Sequence, residues 1–188
     1  ETRALIPSSA MEAGEPEDNT LPFGAAATAA FILAELPVVE RAHYEFLAEH
    51  ARGGLGRILR ARDRRTGRLV AIKEMLEDTP DTAARFCREA LVTANLQHPA
   101  IVPVYELGRW PEGQPFYAMK LVAGRALDDA LRDAATLPER LALLPRLIDV
   151  AEAMAYAHGE GVIHRDLKPA NVLVGSYGET VVIDWGLA

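Results

Sequence analysis

The segment HRDLKPAN, residues 164–171, crowds together a carboxylate at Asp166, an ammonium at Lys168 and an amide at Asn171. Pro169 interrupts any regular helix or strand across them, so the segment reads as a loop. A carboxylate placed this way can accept a proton, an ammonium can neutralise a transferring phosphoryl group, and an amide oxygen can hold a metal ion. A further aspartate, Asp184, follows the apolar run VVI. Runs 172–174 and 181–183 are predicted to pair across the turn GSYGE, which brings Asn171 and Asp184 to one end of a hairpin. Two oxygen ligands meeting there suit Mg2+, a hard cation held by few protein groups together with substrate phosphates. The plainer alternative is a chance meeting of polar strand ends.

Two upstream features bear on the same chemistry. In VAIK, period-two alternation puts Val70 and Ile72 on one side of a strand and Ala71 and Lys73 on the other. A lysine on the inner side of a small sheet needs a carboxylate partner, and Glu89, within a predicted helix, can supply it. Both could equally be ordinary surface residues. The loop ARGGLG places small residues at Ala51, Gly53, Gly54 and Gly56 between two strands. Such a backbone can approach a ligand closely and turn its N–H groups toward phosphate oxygens, although a glycine-rich hairpin turn explains it as well. A Walker loop is excluded, because no Gly-Lys-Ser/Thr ending opens a helix. Of the 20 Lys and Arg residues only Lys73, Lys120 and Lys168 are lysines, and two of these fall where phosphate would lie.

The elements that must position these groups follow from local pattern. Short strands are predicted over 44–49, 57–62 and 68–75, with two more in IVPVYELGRW and PFYAMKLV. Thr79-Pro80 reads as a cap and first helical residue of a helix running to His98-Pro99, with Phe86, Ala90 and Thr93 on one side. A short helix is expected over 127–135. A longer one starts or kinks at Pro145, is apolar enough to be largely buried, and ends at Gly159 and Gly161. The fold class is therefore α+β: a five-stranded antiparallel sheet with one helix, then the start of a mainly helical lobe with a polar loop and a hairpin.

Composition narrows the partners. A formal charge of -7 argues against nucleic acid. The single cysteine, Cys87, excludes an internal disulfide framework, reads as a helix residue and fits a reducing compartment, so a cytoplasmic location is expected. Residues 1–43 read as a tail or linker, with an alanine-rich part at 21–39. That part carries Glu35 and Pro37 and is expected to pack on the domain as a helix or strap; no membrane span is expected.

Taken together, GGLG, VAIK, RFCREA, HPAIVPVYELG, HRDLKPAN and DWG resemble the eukaryotic-type protein kinase family, in particular its bacterial serine/threonine members, over Tyr44 to Ala188. The resemblance implies an amino-terminal lobe at 44–122 and the first part of a carboxy-terminal lobe at 123–188. It implies ATP and Mg2+ as cofactors and a protein carrying Ser or Thr as substrate. Asp166 would orient the substrate hydroxyl and receive its proton, and Lys168 would help neutralise the phosphoryl group. Lys73 would contact the α- and β-phosphates and pair with Glu89, and Asn171 and Asp184 would hold Mg2+. Ala51, Arg52, Gly53, Gly54, Leu55 and Gly56 would cover the nucleotide, with Ile58 over the base. Ala71 and Leu173 would sandwich the ring. Met119 would be the gatekeeper of a hinge at Lys120 to Ala123, with Val122 offering backbone groups to adenine. The lysine two residues after Asp166 is similar to the serine/threonine rather than the tyrosine pattern.

The sequence departs from the family at Ala51, where glycine is usual, at Ile58, where valine is usual, and at Trp185, where phenylalanine is usual. A methyl at Ala51 is tolerable with negative φ and is expected to weaken nucleotide affinity. The family's activation loop, Ala-Pro-Glu stretch and peptide platform have no counterpart here, so more chain is expected after Ala188 and poor phosphotransfer from these 188 residues alone. A nucleotide-binding scaffold without catalysis and a small-molecule kinase of the same fold are the competing readings.

Overall fold

A computed structural model describes residues 34–53, 56–76 and 79–186. Gly54 and Leu55, and most of the alanine-rich stretch, lie outside the described residues. Strands β1 (Tyr44–Arg52), β2 (Gly56–Asp63), β3 (Leu69–Met75), β4 (Val104–Arg109) and β5 (Pro115–Lys120) form an antiparallel sheet in the order β1-β2-β3-β5-β4. Alternation sorts its side chains onto two faces. Ala71 and Met75 join Tyr117 and Met119 in one apolar cluster, whereas Val70 and Ile72 join Phe116 and Ala118 in another. Helix α1 (Pro80–Asn95) covers the first face with Ala83, Phe86, Cys87 and Ala90. Its start follows the expected pattern: Thr79 and Thr82 exchange side-chain and backbone hydrogen bonds in a capping box, with proline inside the first turn. Burial pushes the Cys87 thiol up to about 11, in keeping with a helix core residue.

The second region contains α2 (Leu127–Asp133), α3 (Leu137–Leu141), α4 (Leu144–Gly159) and a three-stranded sheet. Besides the expected hairpin of β7 (Val172–Gly175) and β8 (Thr180–Val182), this sheet holds a strand that the sequence pattern did not announce, β6 (Gly124–Ala126). A Cβ on Gly124 would lie 2.0 Å from the Val174 carbonyl oxygen, so only glycine allows the two backbones so close. The expectation that α4 is largely buried is corrected. Val150, Ala153 and Ala157 are buried, but Leu144, Leu147 and Ile148 are exposed, because no described element packs on that side.

The two regions are stitched by backbone. Val102 N–H donates to Val182 O at 3.2 Å and Val182 N–H to Ala100 O at 2.7 Å. Residues 36–43 pack on the first sheet as a strap. Val39 N–H donates to Arg109 O, and Arg109 N–H to Pro37 O, both at 2.9 Å, which covers the edge strand β4. Leu36 is buried in the cluster that holds Met75 and Phe86, and Val39 in the cluster of the opposite face. Arg41 reaches Glu74, a fully buried carboxylate on β3 that also accepts from Arg57 and from Trp110 Nε1. Among the described residues no helix is long and apolar enough to cross a membrane.

Candidate active site

Lys73 projects from β3 on the face covered by α1 and ion-pairs with Glu89 Oε1. Both side chains are largely buried, so removing either partner would leave an uncompensated buried charge. The hydroxyl of Tyr117 on β5 donates to the same Glu89 oxygen at 2.6 Å. Asp184 Oδ1 lies 3.9 Å from Lys73 Nζ. The backbone just beyond it closes on Glu89: a Cβ on Gly186 would lie 3.1 Å from Glu89 Oε2. Lys73, Glu89 and Asp184 are thus gathered at one point by a strand, a helix and the end of a hairpin.

The polar loop forms a second group. Lys168 Nζ donates to Asp166 Oδ2 at 2.7 Å, and Asn171 Nδ2 donates to the Asp166 carbonyl at 3.0 Å and to Oδ2 at 3.1 Å. The Lys168 hydrogen bond, helped by its charge and by Asn171, holds the Asp166 carboxyl below the usual carboxylate range against the effect of burial. The same contact raises Lys168 above the usual lysine value. Ile183 N–H donates to Asn171 O at 2.9 Å, which fixes the loop beside Asp184 as the hairpin pattern implied.

His164 locks the loop from beneath. Its buried ring accepts from Asp166 N–H at Nδ1 (3.3 Å) and meets Ile183 O through Nε2 at 3.1 Å, an arrangement that suits the tautomer protonated at Nε2. Trp185 is buried against this ring at 4.6 Å, and its Nε1 has no partner among the described residues. Arg165 and Asp184 adopt left-handed backbone, with φ of 61° and 67°. Aspartate tolerates this region and arginine much less, so the packed loop imposes the turn.

A cavity of about 620 Å³ opens onto both groups. Ala51, Arg52, Gly53, Gly56, Ile58, Lys73, Glu89, Met119, Asp166, Asn171 and Asp184 line it. Ala71, Val122 and Leu173 do not; they pack with Ile58 and Met119 in one apolar cluster. Lys168 and Lys120 also lie off the wall, Lys120 directed toward Glu179 at 3.9 Å. Ala51 sits in β1 opposite Ile58 without positive φ, the condition under which its methyl is tolerable. Gly56 has a structural duty as well: a Cβ there would lie 2.6 Å from Glu74 O on β3.

Residues 44–188 match the protein kinase domain family model. The chain belongs to the protein kinase family. It is 38% identical over 160 residues to the serine/threonine-protein kinase PknD of Protochlamydia amoebophila, covering 77% of this chain and 16% of that protein. It is 38% identical over 158 residues to PknD of Chlamydia muridarum, covering 77% and 17%. With a probable serine/threonine-protein kinase of Streptomyces coelicolor it shares 40% identity over 152 residues, covering 77% and 22%. The chain therefore spans less than a quarter of the length of these curated relatives.

Protein kinases as a family use a nucleotide and a metal ion. Two residues at the site escaped sequence reasoning. His164 stands in the quoted loop but carried no role, since its use depends on a carbonyl nineteen residues away. Tyr117 looked like one more apolar strand residue. Its only signal was a hydroxyl in an otherwise hydrocarbon run.

Proposed function

We propose that this domain belongs to an ATP- and Mg2+-dependent serine/threonine protein kinase that transfers the γ-phosphoryl group of ATP to a Ser or Thr hydroxyl. The observation that carries the reading is the convergence of Lys73, Glu89, Asp166, Asn171 and Asp184 on one cavity, with Lys168 bonded to Asp166 beside it. Lys73, fixed by Glu89, would meet the α- and β-phosphates. Asp166, kept ionised by Lys168, would orient the acceptor hydroxyl and take its proton, while Lys168 balances charge on the phosphoryl oxygens. The donor set fits Mg2+: Asn171 commits its nitrogen to Asp166, leaving the amide oxygen, and Asp184 offers a half-exposed carboxylate. Bound there, the ion would neutralise charge on the nucleotide phosphates. The proposed compartment is the cytoplasm, which suits an unpaired, buried Cys87.

The reading is tested with the full-length protein, γ-labelled ATP and a generic protein acceptor, followed by phosphoamino-acid analysis. Label on serine and threonine is expected. Label confined to a small metabolite, or nucleotide binding without any transfer, contradicts it.

A further inference from the structure

We infer that Tyr117 is a positioning residue for phosphoryl transfer, its hydroxyl holding Glu89, and with it Lys73 and helix α1, in the arrangement the nucleotide needs. The inference rests on the kinase reading for its consequence but not for its geometry. Lys73 and Tyr117 are directly opposed across the β3–β5 ladder, so their side chains leave the sheet on the same face. Both reach one atom, Glu89 Oε1, the tyrosine O–H at 2.6 Å. The phenol ring is buried, packs 5.2 Å from Phe86 one turn earlier on α1, and has Lys73 Nζ 5.8 Å from its centroid.

The chemistry explains why a second donor matters. Lys73 must serve two masters, the Glu89 carboxylate and the incoming phosphates, and an ammonium is a point charge with three donors and no fixed fork. When it turns toward phosphate, a buried carboxylate with no other partner would be left poorly satisfied, which is costly. Tyr117 removes that conflict. Burial first, then the charge and hydrogen bond of Glu89, push its hydroxyl well above the ordinary tyrosine value, so it is a donor at every working pH. Glu89 is further tied to its own helix, since the Thr93 hydroxyl donates to the Glu89 carbonyl at 2.7 Å. Holding the carboxylate from β5 therefore holds the middle of α1.

The test is Tyr117→Phe in the full-length protein, which keeps the ring and its packing and deletes only the donor. If the hydroxyl sets the population of the competent arrangement, KM for ATP rises about 3- to 10-fold while kcat stays within about twofold, because affinity scales with the competent fraction. In the absence of nucleotide, amide exchange in the middle of α1 speeds up by a similar factor. In a Glu89→Ala background the same substitution changes KM by less than about twofold, since the hydroxyl has lost its partner. Equal effects in both backgrounds, or unchanged KM with unchanged exchange, would overturn the inference. The exchange measurement needs no phosphotransfer. A protein that fails to transfer phosphate yet shows the exchange change contradicts the functional reading and upholds the link between Tyr117 and Glu89.

Discussion

Arg41 Nη1 lies 3.0 Å from Glu74 Oε1, so a residue preceding the matched kinase domain neutralises a fully buried carboxylate adjacent to Lys73 on β3. Arg57 approaches the other oxygen at 2.8 Å and Trp110 Nε1 the first at 2.8 Å. Arg41 also lies over the Trp110 ring, 4.6 Å from its centroid. The strap is thereby coupled to the strand that carries the phosphate-facing lysine.

Arg41→Ala is expected to destabilise the domain by about 1.5–3 kcal/mol, the usual range for a hydrogen bond to a charged group. Arg57→Ala should behave similarly. The double substitution should cost more than the sum, because among the described residues it leaves Glu74 with the indole as its sole donor. Thermal melting of the four proteins in the cycle measures this, and strict additivity would show that Glu74 does not couple the two arginines.

Gly108→Val tests the strap from the sheet side. A Cβ at this position would lie 2.9 Å from Val39 Cγ2 and 3.0 Å from Pro37 O, so the strap must lift from β4. The expected result is a loss of about 1–3 kcal/mol, as for overpacking elsewhere, with faster amide exchange at Val39 and Arg109, whose N–H groups make the bridging bonds. Unchanged protection at both amides would contradict the packing described.

Lys168→Met addresses Asp166 directly. The carboxyl is depressed below the usual range, and its largest cause is the Lys168 hydrogen bond. A depressed carboxyl is ionised throughout the pH range above its ordinary value of about 3.9 and gains a proton only as pH falls further. Removing Lys168 takes away both hydrogen bond and charge, so the Asp166 titration should move up toward the ordinary value. Carboxyl 13C NMR of the two proteins reads this without relying on activity; a midpoint that moves down or stays put would contradict the geometry.

Much of this site was legible before the fold was in hand, for identifiable reasons. Lys73 and Ala71 share a face because strand alternation is local, and Thr79-Pro80 begins α1 because capping is local. Asn171 and Asp184 come to the same end of the hairpin because a short hairpin leaves few alternatives for its ends. Tyr117 and Glu74 were not legible, since each depends on long-range register or on a covering element. Tyr117 needed the β3–β5 pairing, and Glu74 alternates onto a face that is buried by the strap and Trp110. Strand β6 is only three residues long and carries a glycine and an arginine, so no strand pattern could develop. For α4, apolar composition alone does not reveal which side finds a neighbour.

The most direct test of the functional reading is Asp166→Asn in the full-length protein, assayed for transfer of the γ-phosphoryl group to protein Ser or Thr. The amide preserves size and much of the hydrogen bonding to Lys168 and Asn171's neighbourhood while removing the ionised acceptor. ATP binding, followed by thermal shift, should persist, and transfer should fall by at least about a hundredfold, the lower end for loss of a general base. Undiminished transfer would contradict the role assigned to Asp166 and with it the kinase mechanism proposed for this site.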